Sequence, residues 1–559
     1  MKINKYIKLV ALLAVSATAM TGCIKETFPE SSYATAEQVG NSPFAAEGMI
    51  YTLPTPLITN YTGQGQKDFG YPALMMAYDY MAGEFIPNSF GWDYTQFYWT
   101  LLQDGHAASH AMPYIYWNNY YVYIKNCNDI LSAYGSVESQ KVLAGSARVF
   151  RALCYLDMAR LYDPLPAESQ LRDTYNQEIE KLEGLTVPIV TENTTGDDAA
   201  NNPRATREEI FTLIFSDLDA AEAALGGGYV PESKSFPSLA VVYGMKARAY
   251  LWLGGFEEGL YAEIPTGNAA YKKAAEYARL AITTSGATPL TEAQYTDKAS
   301  GFNTVNAAWL WAMIQSQDTV LSNLHSFTAQ IAPEGSWGYG GIIGPGVRKC
   351  VYDRMADTDF RKKVIVGPST TYADFAQYTN IPNAASWAQW GAFGYGVYPY
   401  TSFKFRPAGG ELSNSSTGNA TSIPLMRVEE MYLIEAEATA HYDATTGKSL
   451  LEAFMAYRDA SYTCTATDIV EEIIFQKRVE LWGEGLIVFD LKRLDYGIDN
   501  AYEGANAQNG WRFKTDHRVP LWNFCIPLTE VQQNVALEGK NNPDPSAALK
   551  SHDVTGGED

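Results

Sequence analysis

Apolar residues recur every three or four positions over long stretches in the middle of the chain. In residues 140–162, for example, Val149, Phe150, Leu153 and Leu156 follow this spacing. Such spacing places apolar side chains on one face of a helix, because an α-helix repeats every ~3.6 residues. The pattern therefore predicts an amphipathic helix with one buried face.

Boundary residues support two successive helices in this part of the chain. Asp163 and Pro164 follow the first helix, and a proline disfavours helical conformation at the residue before it. The second helix opens with Thr206 and Glu209, whose spacing is that of a capping box, and a run of three glycines ends it. Small residues in the first helix, such as Gly145, predict that a second helix approaches it closely.

The helices predicted in this way fall into pairs. They are 140–162 with 206–225, 240–254 with 271–282, and 426–441 with 448–460. The middle pair, AVVYGMKARAYLWLG followed by YKKAAEYARLAI, resembles the two helices of a tetratricopeptide repeat. The spacing between helices is irregular, so the sequence predicts a degenerate repeat with insertions. Each pair of such a repeat buries its apolar face by stacking on a neighbour, which produces an elongated scaffold.

Residues 285–421 have a different composition. Gly, Trp, Tyr, Ser and Asn cluster there, as in EGSWGYGGIIGPG and SWAQWGAFGYGVYPYTSFKF. This composition disfavours regular helix, and long irregular segments inside an ordered protein are usually functional. The predicted fold class is therefore mainly α, with a loop-rich irregular lobe packed on a tetratricopeptide-like scaffold of helix pairs.

The composition of the 559-residue chain fits an ordered protein with more than one lobe. Hydrophobic residues make up 46% and charged residues 19%, which excludes disordered and fibrous classes. The net charge of −22 argues against a nucleic-acid partner, since phosphate binding requires a basic surface. The 38 tyrosines combine an apolar face with a polar tip, which suits a surface that grips a ligand.

The first 23 residues have the features of a secretory signal. Three lysines precede an apolar stretch from Leu9 to Met20, which is too short to span a bilayer. The stretch is followed by Thr and then by Gly22-Cys23, which resembles a bacterial lipobox in which the cysteine is lipidated. We therefore predict a signal peptide over 1–22, lipidation of Cys23 and attachment to a membrane through that lipid. The alternative is an ordinary secreted protein with a cysteine at this position by chance.

Two pairs of residues are candidates for chemistry. Glu480 and Glu484 lie four apart, and paired carboxylates suggest glycoside hydrolysis, but the dense lysines and arginines around them favour structural ion pairs. His106 and His110 have the spacing to hold zinc from one helical turn, but no third ligand is apparent. The sequence shows neither a nucleophile beside a histidine nor a phosphate-binding glycine loop. We therefore expect a protein that is not an enzyme, with no catalytic residue, metal or cofactor.

Six segments resemble the RagB/SusD family of nutrient-binding outer-membrane lipoproteins of Bacteroidetes. In chain order they are VFRALCYLDMARLYDPLP, RATREEIFTLIFSDLDAAEAAL, DRMADTDFRKK, PLMRVEEMYLIEAEA, IIFQKRVELWGEGLIVFDLKRLD and NFCIPLTEVQQN. They occur in the order of the family's motifs and, with the lipobox, extend over nearly the whole chain. The chain departs from the family's pattern at Glu429, Gln476, Lys477, Ile487 and Leu528.

This resemblance implies a fold of about four repeat-like helix pairs. It implies a signal peptide over 1–22, an N-terminal region with helical repeats over 23–300 and a C-terminal region over 301–559. It also implies a lipid-anchored glycan-binding protein on the exterior face of the outer membrane. Such a protein captures polysaccharide fragments and delivers them to a SusC-like TonB-dependent transporter. The alternatives are capture of peptides, as the RagB side of the family implies, a surface glycoside hydrolase, and a structural lid with negligible affinity of its own.

Aromatic clusters supply the candidate ligand site. A sugar ring has apolar C–H faces and polar edges, so its site combines exposed Trp or Tyr with polar side chains. Two segments offer this combination, and they correspond in position to the ligand loops of the family. The predicted ligand-binding residues are Asn88, Trp92, Asp93, Tyr94, Trp337, Tyr339 and Arg348. Core packing is the alternative for any one of these aromatics, and the further candidates are Trp387, Trp390 and Tyr395.

Overall fold

The computed structural model describes residues 46, 48–63, 65–87, 105–168, 173–320, 324–390, 397–507, 512 and 514–546. This part of the chain is mainly helical, with packed helix pairs, as the sequence predicts. No helix within these ranges is both long and apolar enough to cross a membrane. Cys23 and the predicted signal peptide lie outside the described residues.

The longer helices are α1 (Tyr71–Met81), α2 (Ala111–Tyr134), α3 (Lys141–Tyr162), α4 (Asp173–Glu180), α5 (Arg207–Leu225), α6 (Leu239–Leu253), α7 (Gly267–Ser285), α8 (Val428–Ala440), α9 (Ala444–Met455), α10 (Ile469–Glu480) and α11 (Ile487–Leu494). Shorter helical segments are Gly196–Ala199, Glu292–Tyr295, Phe327–Ile331, Gly340–Ile343, Lys349–Arg354, Ala384–Trp390, Ser415–Gly418 and Leu528–Gln533. Two strands, β1 (Trp309–Ile314) and β2 (Ser422–Arg427), form an antiparallel sheet.

The three helix pairs predicted from the sequence are confirmed. Helix α3 packs on α5, α6 packs on α7, and α8 packs on α9. Further contacts of α2 with α3, α5 with α6, and α7 with α8 join these pairs in chain order. One apolar core runs through most of these helices and continues into the irregular lobe. The stacked pairs therefore form a single scaffold that supports the lobe.

The contact between α3 and α5 shows how local sequence produces this packing. A Cβ atom on Gly145 would lie only 2.7 Å from the Cβ of Ala224, so glycine permits the close approach of the two helices. The Thr206 hydroxyl accepts a hydrogen bond from the Glu209 backbone N–H, and the Glu209 carboxylate accepts one from the Thr206 N–H. This is the predicted capping box. Helix α3 ends at Tyr162, where the following Asp-Pro pair predicts its end.

Some elements differ from the sequence prediction. The periodic pattern does not reveal α2, because many of its buried residues are tyrosines and asparagines that interrupt the contrast between apolar and polar positions. Helix α9 ends at Met455, five residues before the predicted end. Residues 285–421 form short helical segments and turns, as predicted, but they also contain β1. Its sequence, WLWAMI, is almost entirely buried, so it has no alternation to mark it as a strand.

A buried cluster of charges lies between the scaffold and the lobe. Glu480 is fully buried and lies 2.8 Å from the Arg458 Nε, 3.1 Å from the Arg427 Nη1 and 3.2 Å from the Arg361 Nη1. The Glu484 Oε1 lies 2.8 Å from the Arg427 Nη2. Ion pairing of these two glutamates is therefore confirmed. Their partners come from distant segments of the chain and not from the neighbouring cations that the sequence suggests.

A single lysine completes the end of α3 from far along the chain. The Lys492 Nζ donates hydrogen bonds to the carbonyl oxygens of Arg160 (2.8 Å), Leu161 (3.2 Å), Asp163 (2.9 Å) and Trp522 (2.8 Å). The last carbonyls of a helix have no partner within the helix. A buried ammonium group therefore satisfies those of α3 and joins α3 to α11 and to the C-terminal segment.

Candidate functional site

Short backbone bridges join the two segments in which the sequence predicts ligand contacts. The Ile86 N–H donates to the Gly346 carbonyl (3.0 Å), and the Gly346 N–H donates to the Ile86 carbonyl (2.7 Å). Gly346 also forms a bridge with Thr401. The chain that leads into residue 88 therefore lies beside the chain that follows Trp337.

Four of the predicted ligand residues, Asn88, Trp92, Asp93 and Tyr94, lie outside the described residues, as does Tyr395. Their role in binding stays a prediction. The candidate site is therefore built from residues after position 330, in the irregular lobe.

Trp337 is held in one orientation by its neighbours. Its indole Nε1 donates to the Asn419 Oδ1 at 2.9 Å, and its ring packs over Gly335 and Gly418. A Cβ atom on Gly418 would lie 2.2 Å from the ring, so only glycine leaves room for the indole. The side chain is half-buried, and its exposed part lies beside the exposed Ser336. These contacts fix the plane of the ring while leaving part of it accessible.

A tight turn supports the loop that carries Trp337. The Ser336 N–H donates to the Leu412 carbonyl (3.2 Å). The Glu411 carboxylate accepts hydrogen bonds from the backbone N–H groups of Asn414 (2.9 Å) and Ser413 (2.8 Å). These hydrogen bonds lower the pKa of Glu411 to about 2, and the bond from Asn414 has the largest effect. The turn therefore keeps its charge and its hydrogen bonds over the whole physiological pH range.

The other two predicted residues of this segment lie in different surroundings. Tyr339 is half-buried against the main apolar core. Arg348 is only 5% exposed, donates from Nη2 to the Asp499 carbonyl, and places Nη1 4.0 Å from the Glu84 Oε1. Arg348 therefore has a different set of neighbours from Trp337.

Three large aromatic side chains are exposed in adjoining segments of the lobe. Trp390 is 58% exposed, Tyr372 is 47% exposed and Tyr398 is 36% exposed. We call these three residues the aromatic patch. Several large aromatics exposed in adjoining segments are typical of a recognition surface. Contact of their apolar faces with water is unfavourable, and a bound ligand removes that contact.

Backbone contacts place the three segments that carry these residues beside one another. The short 3₁₀ turn Tyr372–Gln377 packs against the helical segment Ala384–Trp390. The Val397 N–H donates to the Ala388 carbonyl at 2.8 Å, which places the residue after Val397 beside the same helical segment. Beneath the surface, Trp387 packs edge-on against Phe403 with ring centroids 6.3 Å apart. The patch thus stands on a packed aromatic base.

The segments that carry the aromatic patch also carry exposed amide side chains. The exposed amides in the same segments are Gln377, Asn380, Asn383 and Gln389. Asn383 has a positive φ of 57°, a conformation that asparagine adopts more readily than most residues, and it begins the helical segment that carries Trp390. Amides both donate and accept hydrogen bonds, as sugar hydroxyls do. The arrangement therefore offers stacking surfaces with polar partners at their edges.

A buried ion pair joins the patch to the loop that carries Trp337. The Glu334 Oε1 accepts hydrogen bonds from the Thr379 hydroxyl (2.5 Å) and from the Arg406 Nη1 (2.9 Å). Glu334 precedes Trp337 by three residues, and Thr379 follows the turn that carries Tyr372. The Trp337 loop and the aromatic patch therefore belong to one connected part of the lobe.

Sequence reasoning finds this surface only in part. Trp390 is among the further candidates, whereas Tyr372 and Tyr398 are missed. The Gly- and Tyr-rich run around Tyr398 is a signal that could have indicated it. Tyr372 is followed closely by Phe375 and Tyr378, and the local sequence does not distinguish the exposed ring of Tyr372 from these two buried rings.

The geometry does not support a metal site at His106 and His110 or a catalytic role for Glu480. His106 is buried against Phe524, and the exposed His110 precedes α2, so the two histidines do not share a helical turn. Burial raises the pKa of Glu480, but the guanidiniums of Arg458 and Arg427 outweigh this effect and hold the pKa well below its usual range. A buried carboxylate that is ionised and fully paired cannot serve as a general acid.

Two family models match the chain and together cover most of it. Residues 73–251 match a SusD-like model described as starch-binding and associating with the outer membrane, and residues 351–543 match the SusD family model. The chain belongs to the SusD/RagB family, a family of non-catalytic carbohydrate-binding proteins associated with the outer membrane.

Solved structures share this fold. A SusD-like carbohydrate-binding protein from Bacteroides vulgatus has a TM-score of 0.65 at 21% identity, over 91% of this chain and 98% of its own. Surface glycan-binding protein A from Bacteroides thetaiotaomicron has a TM-score of 0.63 at 16% identity, over 90% of this chain and 99% of its own. A SusD superfamily protein from Parabacteroides distasonis has a TM-score of 0.63 at 16% identity, over 90% and 98%. No functionally curated protein sequence matches the chain significantly.

Proposed function

We propose that the protein captures oligosaccharides at the exterior surface of the outer membrane and delivers them to a SusC-like TonB-dependent transporter. The observation that carries the proposal is the aromatic patch, with Tyr372, Trp390 and Tyr398 exposed among amide side chains. Rings of this kind stack on the C–H faces of sugars, and the amides take the hydroxyls. The net charge of −22 favours neutral glycans over polyanionic ones.

The lipid anchor is part of the same proposal. Lipidation of Cys23 would hold the protein at the membrane while its folded body stays in water. A Cys23→Ala variant should leave the membrane fraction in cells of the native host. On intact cells the native protein should be cleaved by added protease, whereas a protein facing the periplasm would be protected.

Binding of the purified, lipid-free protein to a panel of plant, fungal and host polysaccharides tests the central claim. Affinity electrophoresis should show retardation by at least one polysaccharide, and a parallel assay should show no release of reducing ends. Release of reducing ends would indicate a glycosidase. Absence of retardation by every polysaccharide would contradict glycan capture and favour peptides, or a lid that acts only on its transporter.

Variants of single aromatics locate the binding surface. Trp390→Ala should weaken binding about 30-fold, the loss typical of a central aromatic contact. Tyr457→Ala is the matched control, since Tyr457 is 45% exposed but lies just after α9 in the scaffold. Trp337→Ala and Trp92→Ala test the two segments predicted from the sequence. If none of the three tryptophan variants weakens binding, this placement of the site is wrong.

Association with the transporter needs its own experiment. The tagged protein, extracted from outer membranes in mild detergent, should retain a TonB-dependent transporter identified by mass spectrometry. The Trp390→Ala variant should retain the same transporter, because the patch is proposed to bind glycan and not the transporter. Loss of the transporter with this variant would assign the patch to the interface instead.

A further inference from the structure

A concave site with a different set of residues lies between Lys349–Arg354 and α10. It is an open cleft of about 530 Å³, a volume in the range of small-ligand sites. Its walls comprise three arginines, three carboxylates, apolar side chains and one thiol. The lining residues are Arg348, Cys350, Val351, Arg354, Asp468, Glu471, Ile474, Phe475, Arg478, Tyr496, Gly497 and Asp516. None of them belongs to the aromatic patch.

The inner wall of this cleft holds more positive than negative charge. Arg348 is 95% buried and the Arg478 side chain is 14% exposed, and both approach one carboxylate, that of Glu84. The Glu84 Oε1 lies 3.1 Å from the Arg478 Nη1 and 4.0 Å from the Arg348 Nη1. Within the described part of the chain, the Arg348 Nε is buried without a hydrogen-bond partner. Two guanidiniums therefore share one carboxylate, and one donor is left unused.

The electrostatics of Arg478 agree with this arrangement. Burial lowers the pKa of Arg478, Glu84 raises it, and the guanidiniums of Arg348 and Arg354 lower it again. A buried guanidinium that is crowded by like charges is stabilised by an added anion. A carboxylate fits best, because its two oxygens match the planar fork of a guanidinium.

The outer wall restricts which anion can enter. Asp468, Glu471 and Asp516 are exposed, and of these three only Glu471 forms an ion pair within the cleft lining, with the Arg354 Nη1 at 3.6 Å. Acidic groups at the mouth repel a chain of many negative charges. They still provide acceptors for the hydroxyls of a neutral ring. The cleft is therefore suited to a compact polyhydroxyl ligand with one carboxylate.

We propose that this cleft is a second carbohydrate subsite, which binds a sugar with one carboxylate, of the uronic acid class. The carboxylate pairs with Arg348 and Arg478, the ring lies against the half-buried Tyr496 of the lining, and the hydroxyls face Asp468. The proposal rests on the proposed carbohydrate-binding function and extends it from neutral glycans to singly charged residues of the same chains.

Cys350 provides a reporter for occupancy of the cleft. It is half-buried in the lining, whereas the other described cysteines, Cys127, Cys154, Cys464 and Cys525, are buried. The purified protein is treated with iodoacetamide, and alkylation of the peptide that carries Cys350 is followed by mass spectrometry. Glucuronate and galacturonate should slow this alkylation in proportion to occupancy. Glucose, glucuronate methyl ester and acetate, each at the same concentration, are the controls.

Each result decides the proposal. Protection by a uronate, without protection by its methyl ester, by glucose or by acetate, is the expected result. No protection by either uronate would overturn it. Equal protection by the methyl ester or by glucose would show that the arginines do not select a ligand with a carboxylate, which also overturns the proposal. Equal protection by acetate would show an anion site without a sugar requirement, which also overturns it.

Two variants with opposite expected effects on Cys350 protection, one weaker and one stronger, keep the test independent of folding. Arg348→Met should weaken protection about tenfold, the loss of one charge-assisted hydrogen bond. Arg279→Met, which removes a half-exposed arginine paired with Glu435, is the matched control. Glu471→Gln removes a repulsive charge at an exposed position and should strengthen protection. Unchanged protection in both cleft variants would overturn the proposal, and Glu471→Gln alone decides it if Arg348→Met does not fold.

The two proposals fail in different ways. If Trp390→Ala abolishes retention of a neutral glycan while no uronate protects Cys350, the proposed function holds and the second subsite does not. If a uronate protects Cys350 but no polysaccharide is retained, the cleft binds a free acid sugar. In that case its role in glycan capture is lost.

Discussion

Trp252 of the helical scaffold and Trp390 of the irregular lobe show two opposite uses of one residue type. In the scaffold Trp252 is 2% exposed, and Tyr250 stacks on Phe215 and Tyr277 with ring centroids 4.4 and 5.6 Å away. In the lobe Trp390 is 58% exposed on a seven-residue helical segment. Where neighbouring helices cover an aromatic ring, as they cover Trp252, the ring contributes to packing. Where turns hold the backbone, the ring remains available to a ligand.

The two regions also differ in how they treat charge. Between α6 and α8 the buried Arg248 meets Glu430 through two hydrogen bonds of 2.6 and 2.7 Å. In the lobe the Glu411 carboxylate binds backbone N–H groups of its own turn. The Arg248 pair therefore joins distant segments of the scaffold, whereas Glu411 shapes a single loop of the lobe. Substitutions in the two regions should consequently affect different measurements.

The largest effect is expected from the buried charge cluster. Arg427→Met leaves the carboxylates of Glu480 and Glu484 without one of their cations, and should lower the free energy of unfolding by about 3–5 kcal/mol. Urea unfolding followed by circular dichroism measures it. Arg279→Met removes a half-exposed pair and should cost about 1 kcal/mol or less. Equal stability of the two variants would contradict the structural role of the cluster.

A smaller loss is expected where α3 meets α5. Gly145→Ala places a Cβ 2.7 Å from that of Ala224 and should cost about 1–3 kcal/mol of overpacking, partly offset by a gain in helix propensity. Thermal unfolding measures the loss. Gly227→Ala, where no atom lies within 4 Å of the new Cβ, is the control and should leave stability nearly unchanged. Glycan affinity should be the same in both variants.

In the lobe the expected change is in affinity and not in stability. Gly418→Ala places a Cβ 2.2 Å from the Trp337 ring and must tilt the indole. Glycan affinity should fall about tenfold, which corresponds to about 1.4 kcal/mol. Titration calorimetry with the retained glycan measures it. Ser416→Ala, an exposed position on the same turn, should have no effect. An unchanged affinity for Gly418→Ala would remove Trp337 from the ligand site.

The smallest effect on binding is expected from acid, which should lower the free energy of unfolding but leave glycan affinity unchanged. Arg458 and Arg427 hold the pKa of Glu480 well below its usual range despite burial, and Arg493 and Lys477 do the same for Glu437. A glutamate in the unfolded chain has a pKa of about 4.3, so the ion pairs stabilise the fold fully above that pH. This stabilisation is lost as the pH falls through the pKa values of Glu480 and Glu437 in the folded protein, which are lower. Glu411, with a pKa of about 2, keeps the Trp337 turn charged throughout.

The measurement follows both quantities over the same pH range. Between pH 7 and about 5 both glycan affinity and the free energy of unfolding should stay constant. Below about pH 4 the free energy of unfolding should fall while the affinity of the remaining folded protein does not. A loss of affinity well above that pH would require a titrating group in the binding surface.

The sequence predicts most of the scaffold but only part of the candidate site. Thr206 and Glu209 mark a helix start because capping depends on residues three apart, and this local rule is confirmed. The partners of Glu480 are not predictable in the same way, because they lie 22 to 119 residues away in the chain. Tyr372 is missed for a similar reason, since its exposure depends on which segments pack beside it.

Lys492 makes the integrity of the protein depend on residues 492–559. Its ammonium group completes a helix that ends some 330 residues earlier in the chain. A chain cut short before this lysine would leave three buried helix-terminal carbonyls with no donor, each costing about 1–3 kcal/mol. Helix α3 is therefore completed only by a residue near the far end of the polypeptide. We expect a chain truncated before Lys492 to be less stable and more readily cleaved by proteases than the full chain.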